Sequence, residues 1–192
     1  MLAARTPEQR SGRVVLMELA LATGGKVEAG DGAGCYPAPL LAAVATHLHH
    51  DECGMRGLRA AEARAVAARA EAEGGPEAAL LVASDLNSVR RRDYLPREWD
   101  VLRETALRLG GAEEDGVAQA LERAGFHCAY DAAPGGAAPI FTHWTSTTVD
   151  FAYLRPPMSK WRWSVAGVYV VPTTSSDHLP VVHDFDVERV AK

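Results

Sequence analysis

An alanine-, arginine- and glutamate-rich stretch from Met55 to Glu73 is stopped by Gly74-Gly75-Pro76 and followed almost at once by Ala79 to Ser84, a short run that stays apolar up to its last residue. This pairing limits the fold more than any other feature. Leu58, Ala61, Ala65, Val66 and Ala68 recur at roughly helical spacing, and the glycines and proline end the helix. The apolar run is too short for a buried helix and reads as a strand covered on both faces. A helix feeding such a strand implies a layered α/β domain.

The rest of the chain alternates in the same way. Arg13 to Leu21 has the β-branched start of a strand, Gly24 to Gly34 reads as a hairpin loop, and Leu40 to His47 is its expected partner. Shorter helices are predicted at Pro96 to Leu109 and Asp115 to Ala124, and strands at Thr147 to Leu154, Trp163 to Val171 and Leu179 to Val187. With 192 residues the chain has room for one domain, 1–192, in which 1–12 is expected to be a poorly ordered lead-in. No internal repeat is present. A hydrophobic share of 47% with 23% charged residues is that of a soluble globular protein, and no apolar run reaches the roughly 18 residues of a membrane span. The first residues lack the apolar core of a secretory signal, and Cys35, Cys53 and Cys128 stand far apart and odd in number. Neither a disulfide framework nor a cysteine zinc site is suggested, and a reducing, cytoplasmic location is the expectation.

A net charge of -5 argues against a protein that coats nucleic acid through many phosphate-neutralising cations, but not against an enzyme that cleaves phosphoesters. Such an enzyme needs acids to hold a metal. Suitable groups stand beside or within three predicted strands: Leu80-Leu-Val-Ala-Ser-Asp85-Leu-Asn87, Thr147-Thr-Val-Asp150-Phe, and Ser176-Asp177-His178 just before an apolar strand. Hydrolysing a phosphoester requires a polarised phosphoryl oxygen, an activated water and a protonated leaving oxygen, which a divalent cation with carboxylates and imidazoles supplies. Asp85, Asp177 and Asn87 fit the oxygen ligands of Mg²⁺. His178 fits a general base or a positive group on the transition state, with Asp150 as the acid that orients it. Arg90 and Arg91, directly after the Asp-x-Asn, are candidate phosphate-binding cations. The cluster His47-Leu-His49-His50-Asp51-Glu52-Cys53 lacks zinc-ligand spacing, so only His47, at a strand end, is retained as a site residue. Lys160-Trp161-Arg162-Trp163 reads as a hairpin covering a sheet edge rather than as a base-stacking platform, and Phe141 and Trp144 read as core.

Taken in order, Thr46-His47-Leu48, a helix bearing Arg59 and Glu62, Ser84-Asp85-Leu86-Asn87-Ser88, Phe141-Thr-His-Trp144, Val149-Asp150-Phe151 and Ser176-Asp177-His178-Leu179-Pro180-Val181 resemble the motifs of the endonuclease/exonuclease/phosphatase (DNase I-like) superfamily. The resemblance runs from about Arg13 to the C-terminus. It implies a four-layer α/β sandwich, two mixed sheets packed face to face with helices outside, and Mg²⁺-dependent hydrolysis, with Mn²⁺ as a substitute. By that analogy Asp85 activates or orients the attacking water, Asn87 holds a phosphate oxygen, His47 assists the phosphoryl group or leaving oxygen, Asp177 and Asp85 serve the metal, and Asp150 supports His178. The substrate is then a nucleic acid or a phosphorylated small molecule or lipid, and no protein partner is inferred. A phosphatase of inositol or lipid phosphates is the alternative within the same fold.

One departure qualifies the resemblance. The family opens with a strand carrying Asn and a later strand ending in Gln-Glu, whose Glu is the principal metal ligand, and neither motif is present in this sequence. Glu18 lies mid-strand and does not replace it. The expectation is a C-terminal two-thirds of the fold with weakened metal binding, an apolar sheet face or edge left open, and weak or no hydrolysis by the chain alone; a catalytically impaired fragment is the further alternative.

Overall fold

The computed structural model describes residues 15–19, 41–49, 57–75, 78–108, 116–135, 141–157 and 161–189. The expected lead-in at 1–12 and the hairpin loop from Gly24 to Gly34 lie outside these. The described elements are β1 (Val15–Leu19), β2 (Leu41–His47), α1 (Leu58–Gly74), β3 (Ala79–Asp85), a 3₁₀ turn (Arg91–Asp93), α2 (Pro96–Arg108), α3 (Val117–Arg123), β4 (His127–Cys128), α4 (Ala129–Ala132), β5 (Asp150–Arg155), β6 (Trp161–Val170) and β7 (Val181–Arg189). Each predicted helix and strand has its counterpart among the described residues. The short β4 and α4 carry no periodicity to read and were not anticipated.

Five strands form a mixed sheet in the order β1-β2-β3-β5-β4, in which β2 and β3 are parallel and the other pairs antiparallel. The β2 to β3 crossover runs through α1. Mixed pairing is confined to this sheet, because β6 and β7 make a second, purely antiparallel pair. A bulge between Val165 and Gly167 interrupts their ladder and locally increases its twist. Val165, Val168, Trp163 and Phe185 of this hairpin pack on Leu41, Ala79, Leu81, Ala152 and Leu154, so the two sheets meet face to face. On the other face of the larger sheet, α1 and α3 cover Ala42, Val44, Leu80 and Val82. Among the described residues no helix is long and apolar enough to cross a membrane.

The buried stripe of α1 is Ala60, Ala63, Val66, Ala67, Ala70 and Gly74. It corrects the predicted stripe, of which Ala61, Ala65 and Ala68 are exposed. In a helix this rich in alanine, hydrophobicity hardly distinguishes one face from another. Close approach decides instead: a Cβ at Gly74 would collide with Leu80 and come within 2.9 Å of Ala42 Cβ, so the helix sits directly on the sheet at its C-terminal end.

Candidate active site

The parallel register of β2 with β3 places His47 opposite Asp85, and the antiparallel register of β3 with β5 places Asp85 opposite Asp150. Because side chains alternate along a strand, these three residues share the face that carries Leu81, Ala83, Ala152 and Leu154, the face turned toward the second sheet. They therefore stand in a row across three neighbouring strands. His47 Nε2 lies 3.2 Å from Asp85 Oδ2.

β3 ends at Asp85 because the chain turns there. Asp85 Oδ1 accepts the Asn87 N–H at 2.8 Å, an Asx turn, and Asn87 adopts a positive φ of 46°. One side-chain amide hydrogen of Asn87 is donated to Leu48 O at 2.9 Å, and the Asn87 backbone carbonyl accepts from Arg59 Nη1. Leu48 N–H reaches back to Asp85 O, and His49 N–H donates to Glu62 Oε2. Asn87 thus ties the ends of β2 and β3 together through its backbone and its side-chain NH2.

His178 arrives from the loop before β7. Thr142, fully buried, positions it: Thr142 Oγ1 accepts the N–H groups of Val149 and Asp150, while Thr142 O accepts Leu179 N–H at 2.7 Å. One threonine therefore holds the start of β5 and the His178 loop in fixed relation. His178 Nδ1 and Asp150 Oδ2 are 2.9 Å apart, and His178 Nε2 faces Asp85 Oδ2 at 3.7 Å. Burial pulls the His178 imidazole down, but the hydrogen bond and charge of Asp150, with Asp85 and Asp177 beyond, win and raise its pKa above the ordinary value. Burial pushes the Asp85 carboxyl up, opposed by the Asn87 N–H, reinforced by Asp150 and opposed again by His47 and His178; the net direction is upward.

A cleft of about 380 Å³ opens over these groups, lined also by Thr46, Ser84, Phe151, Ser176, Leu179, Pro180 and His183. Asp85, Asp150 and His178 each offer a donor atom within 4.8 Å of the others'. Two carboxylates in a partly desolvated corner, one of them with a raised pKa, are an oxygen-donor set with charge left to neutralise. That chemistry fits a hard divalent cation that keeps most of its water. Asp177, by contrast, is displaced from Asp85's group: its carboxylate is 66% exposed, and the imidazole beside it is His143, at 3.8 Å.

Arg90 requires a correction. Its residue is 2% exposed; Nε donates to Asp93 Oδ2 at 2.7 Å, Nη1 to Asp131 Oδ2 at 2.8 Å, and the guanidinium lies 5.2 Å from the Phe151 ring centroid. It is a buried structural cation rather than one presented to a phosphate. Arg91 is exposed but packs over Trp99 and donates to Tyr94 O. Phe141 and Trp144, read as core, are 37% and 72% exposed, because they lie in a loop rather than in a strand. Trp163 does pack inward. Sequence reasoning gave no role to His143 and His183. His143 forms bridges with Thr147 and His178, and His183 lines the cleft with its Nδ1 buried and unpaired. His143 stood in a motif already singled out, whereas a lone histidine within an apolar strand gave no signal.

No family model matches the sequence, and no curated protein matches it. Solved structures do. An endonuclease/exonuclease/phosphatase from Bacteroides vulgatus superposes with a TM-score of 0.51 at 15% identity, over 77% of this chain and 50% of that one. The fold is that of the endonuclease/exonuclease/phosphatase structures. The catalytic domain of Xenopus laevis APE2 agrees, with a TM-score of 0.50 at 17% identity over 79% of this chain and 52% of its own. The chain thus spans about half the length of each. At such identities the likeness is one of fold, the DNase I-like α/β arrangement of two packed sheets.

Proposed function

We propose that the chain carries the reaction centre of a divalent-metal-dependent phosphoester hydrolase. The observation that supports this most is the common register of His47, Asp85 and Asp150, met at one point by His178 from a distant loop. Asp85, Asp150 and His178, separated widely in sequence, line one cleft with His47 at 3.2 Å from Asp85, which scattered surface residues do not do.

When bound, Mg²⁺ or Mn²⁺ supplies Lewis acidity to the phosphoryl oxygens and charge balance to the carboxylates. Asp85 and Asp150 would hold it. Asp85, fixed by the Asn87 N–H, orients the attacking water and takes its proton. His178, held by Asp150 at Nδ1, directs Nε2 toward a phosphoryl oxygen as a hydrogen-bond donor. His47, more exposed, assists the same group or the leaving oxygen. The remaining cleft admits a phosphate ester of a nucleic acid, sugar or lipid headgroup, and Arg90 contributes nothing to that choice.

Hydrolysis of bis-p-nitrophenyl phosphate, p-nitrophenyl phosphate, DNA and an inositol polyphosphate by this chain tests the proposal. The expected result is slow hydrolysis of at least one substrate that needs Mg²⁺ or Mn²⁺, stops with chelator, and is lost in Asp85→Ala. Hydrolysis that persists in Asp85→Ala, or none on any substrate with either metal, would overturn it.

A further inference from the structure

Beside the oxygen-rich corner lies a second cluster with different donor chemistry. His143, Asp177 and His178 each place one donor atom within 4.8 Å of the other two. The His143 and His178 rings lie 4.6 Å apart between centroids at an angle of 54°, and His143 Nε2 is 3.8 Å from Asp177 Oδ2. We propose that these three residues form a site for a borderline transition-metal ion of the Zn²⁺ class, which shares His178 with the hard-cation set at Asp85 but uses neither of its carboxylates.

The arrangement beyond the donors carries the inference. A histidine that ligates through one ring nitrogen normally has the other fixed by an oxygen. His178 Nδ1 is held by Asp150 Oδ2 at 2.9 Å, which leaves Nε2 to ligate. His143 Nδ1 is held at 2.7 Å by Thr145 Oγ1, itself 2.9 Å from Thr147 Oγ1. With a metal on Nε2, the Nδ1 proton goes to Thr145, whose own hydroxyl hydrogen goes to Thr147. Both imidazoles therefore stand oriented before any ion arrives. Ligands at about 2.0–2.1 Å around a tetrahedral ion lie about 3.4 Å apart, so only a small closure is needed. Asp177, 66% exposed at the loop tip, is free to supply it. Two nitrogens and one carboxylate favour Zn²⁺ over Mg²⁺ and leave a fourth position for water.

An ion there withdraws His178 Nε2 from the cleft, so Zn²⁺ would inhibit hydrolysis. That consequence rests on the hydrolase reading, whereas binding does not, and so binding is the measurement to make. Zn²⁺ affinity is read by competition with a chromophoric chelator in millimolar Mg²⁺, and Co²⁺ substitution is read by its visible absorption. We expect one equivalent bound with a four-coordinate Co²⁺ spectrum, and a Kd raised at least about tenfold in both His143→Phe and Asp177→Asn, with circular dichroism confirming that each variant is folded. Asp177 is exposed enough that its variant keeps the fold even if the other does not. Asp85→Asn, which removes a carboxylate 3.7 Å from His178 Nε2, should raise the Kd less than either of those variants. Binding unchanged in both His143→Phe and Asp177→Asn, binding lost chiefly in Asp85→Asn, or no Co²⁺ spectrum would overturn the site.

Discussion

His178 owes its orientation to Asp150, and the pair is the part of the centre most sensitive to a single atom. Replacing a carboxylate that steadies an imidazole with an amide leaves the shape and removes the charge that fixes the ring's tautomer and orientation. Asp150→Asn should therefore lower kcat by about 10²–10⁴, measured on whichever ester is turned over fastest, with the folded spectrum unchanged. A loss under about tenfold would mean that Asp150 is not the orienting partner. His183 gives a prediction about stability. Burial between Tyr130 and Phe185 lowers its pKa from 6.5 to about 4. The folded state thus refuses a proton that the unfolded chain accepts, so this contribution is full above pH 6.5 and is lost as pH falls toward 4. His183→Phe, which also removes an unpaired Nδ1, should flatten the fall in denaturation midpoint between those pH values; an unchanged slope would contradict the burial argument. At this scale Asp85, Asp150 and His178 were legible because each follows or precedes an apolar run that had to be a strand. His183 was not, since what surrounds it comes from α4 and from its own strand after folding. Trp144 and Phe141 misled because aromatic composition says nothing about whether a loop lies over the core or at its rim.

Among the elements, the alternation of β2, β3 and β5 aligns the site, and α1 fixes β2 against β3. The sequence showed that these strands exist, but the pairing of β3 with both β2 and β5, and hence the row His47, Asp85, Asp150, is a property of long-range register that spacing does not encode. The face of α1 was illegible for the opposite reason, as its alanines fit inside or outside equally well. Gly74→Ala should destabilise by about 1–3 kcal/mol or more through overpacking against Leu80 and Ala42, read from urea unfolding. No measurable change would mean that the helix end has room to move. The 3₁₀ turn holds the other element-level device. Arg90 and Asp93 are 3% and 4% exposed in their side chains and pair with each other, with Asp131 completing the cage. Arg90→Met should cost about 3–5 kcal/mol, because Asp93 is left as a buried charge without its partner. A cost below about 1 kcal/mol would return Arg90 to the candidates for binding.

For the whole molecule, two packed sheets create the cleft, since the loop before β7 can reach β5 only because the second sheet lies across the face that carries Asp85 and Asp150. The layered α/β class was readable from a helix stopped by Gly-Gly-Pro ahead of a buried strand, whereas the layer order was carried by the family resemblance and not by any local pattern. The central claim is that Asp85 and His178 act on one phosphoryl group, and the most direct measurement is the kcat/KM of Asp85→Ala, His178→Ala and the double variant on one ester in saturating Mg²⁺. Residues that act as a unit are strongly non-additive. The account predicts that the double variant is no worse than the poorer single variant to within about threefold; losses that multiply would place the two residues in independent roles and contradict it.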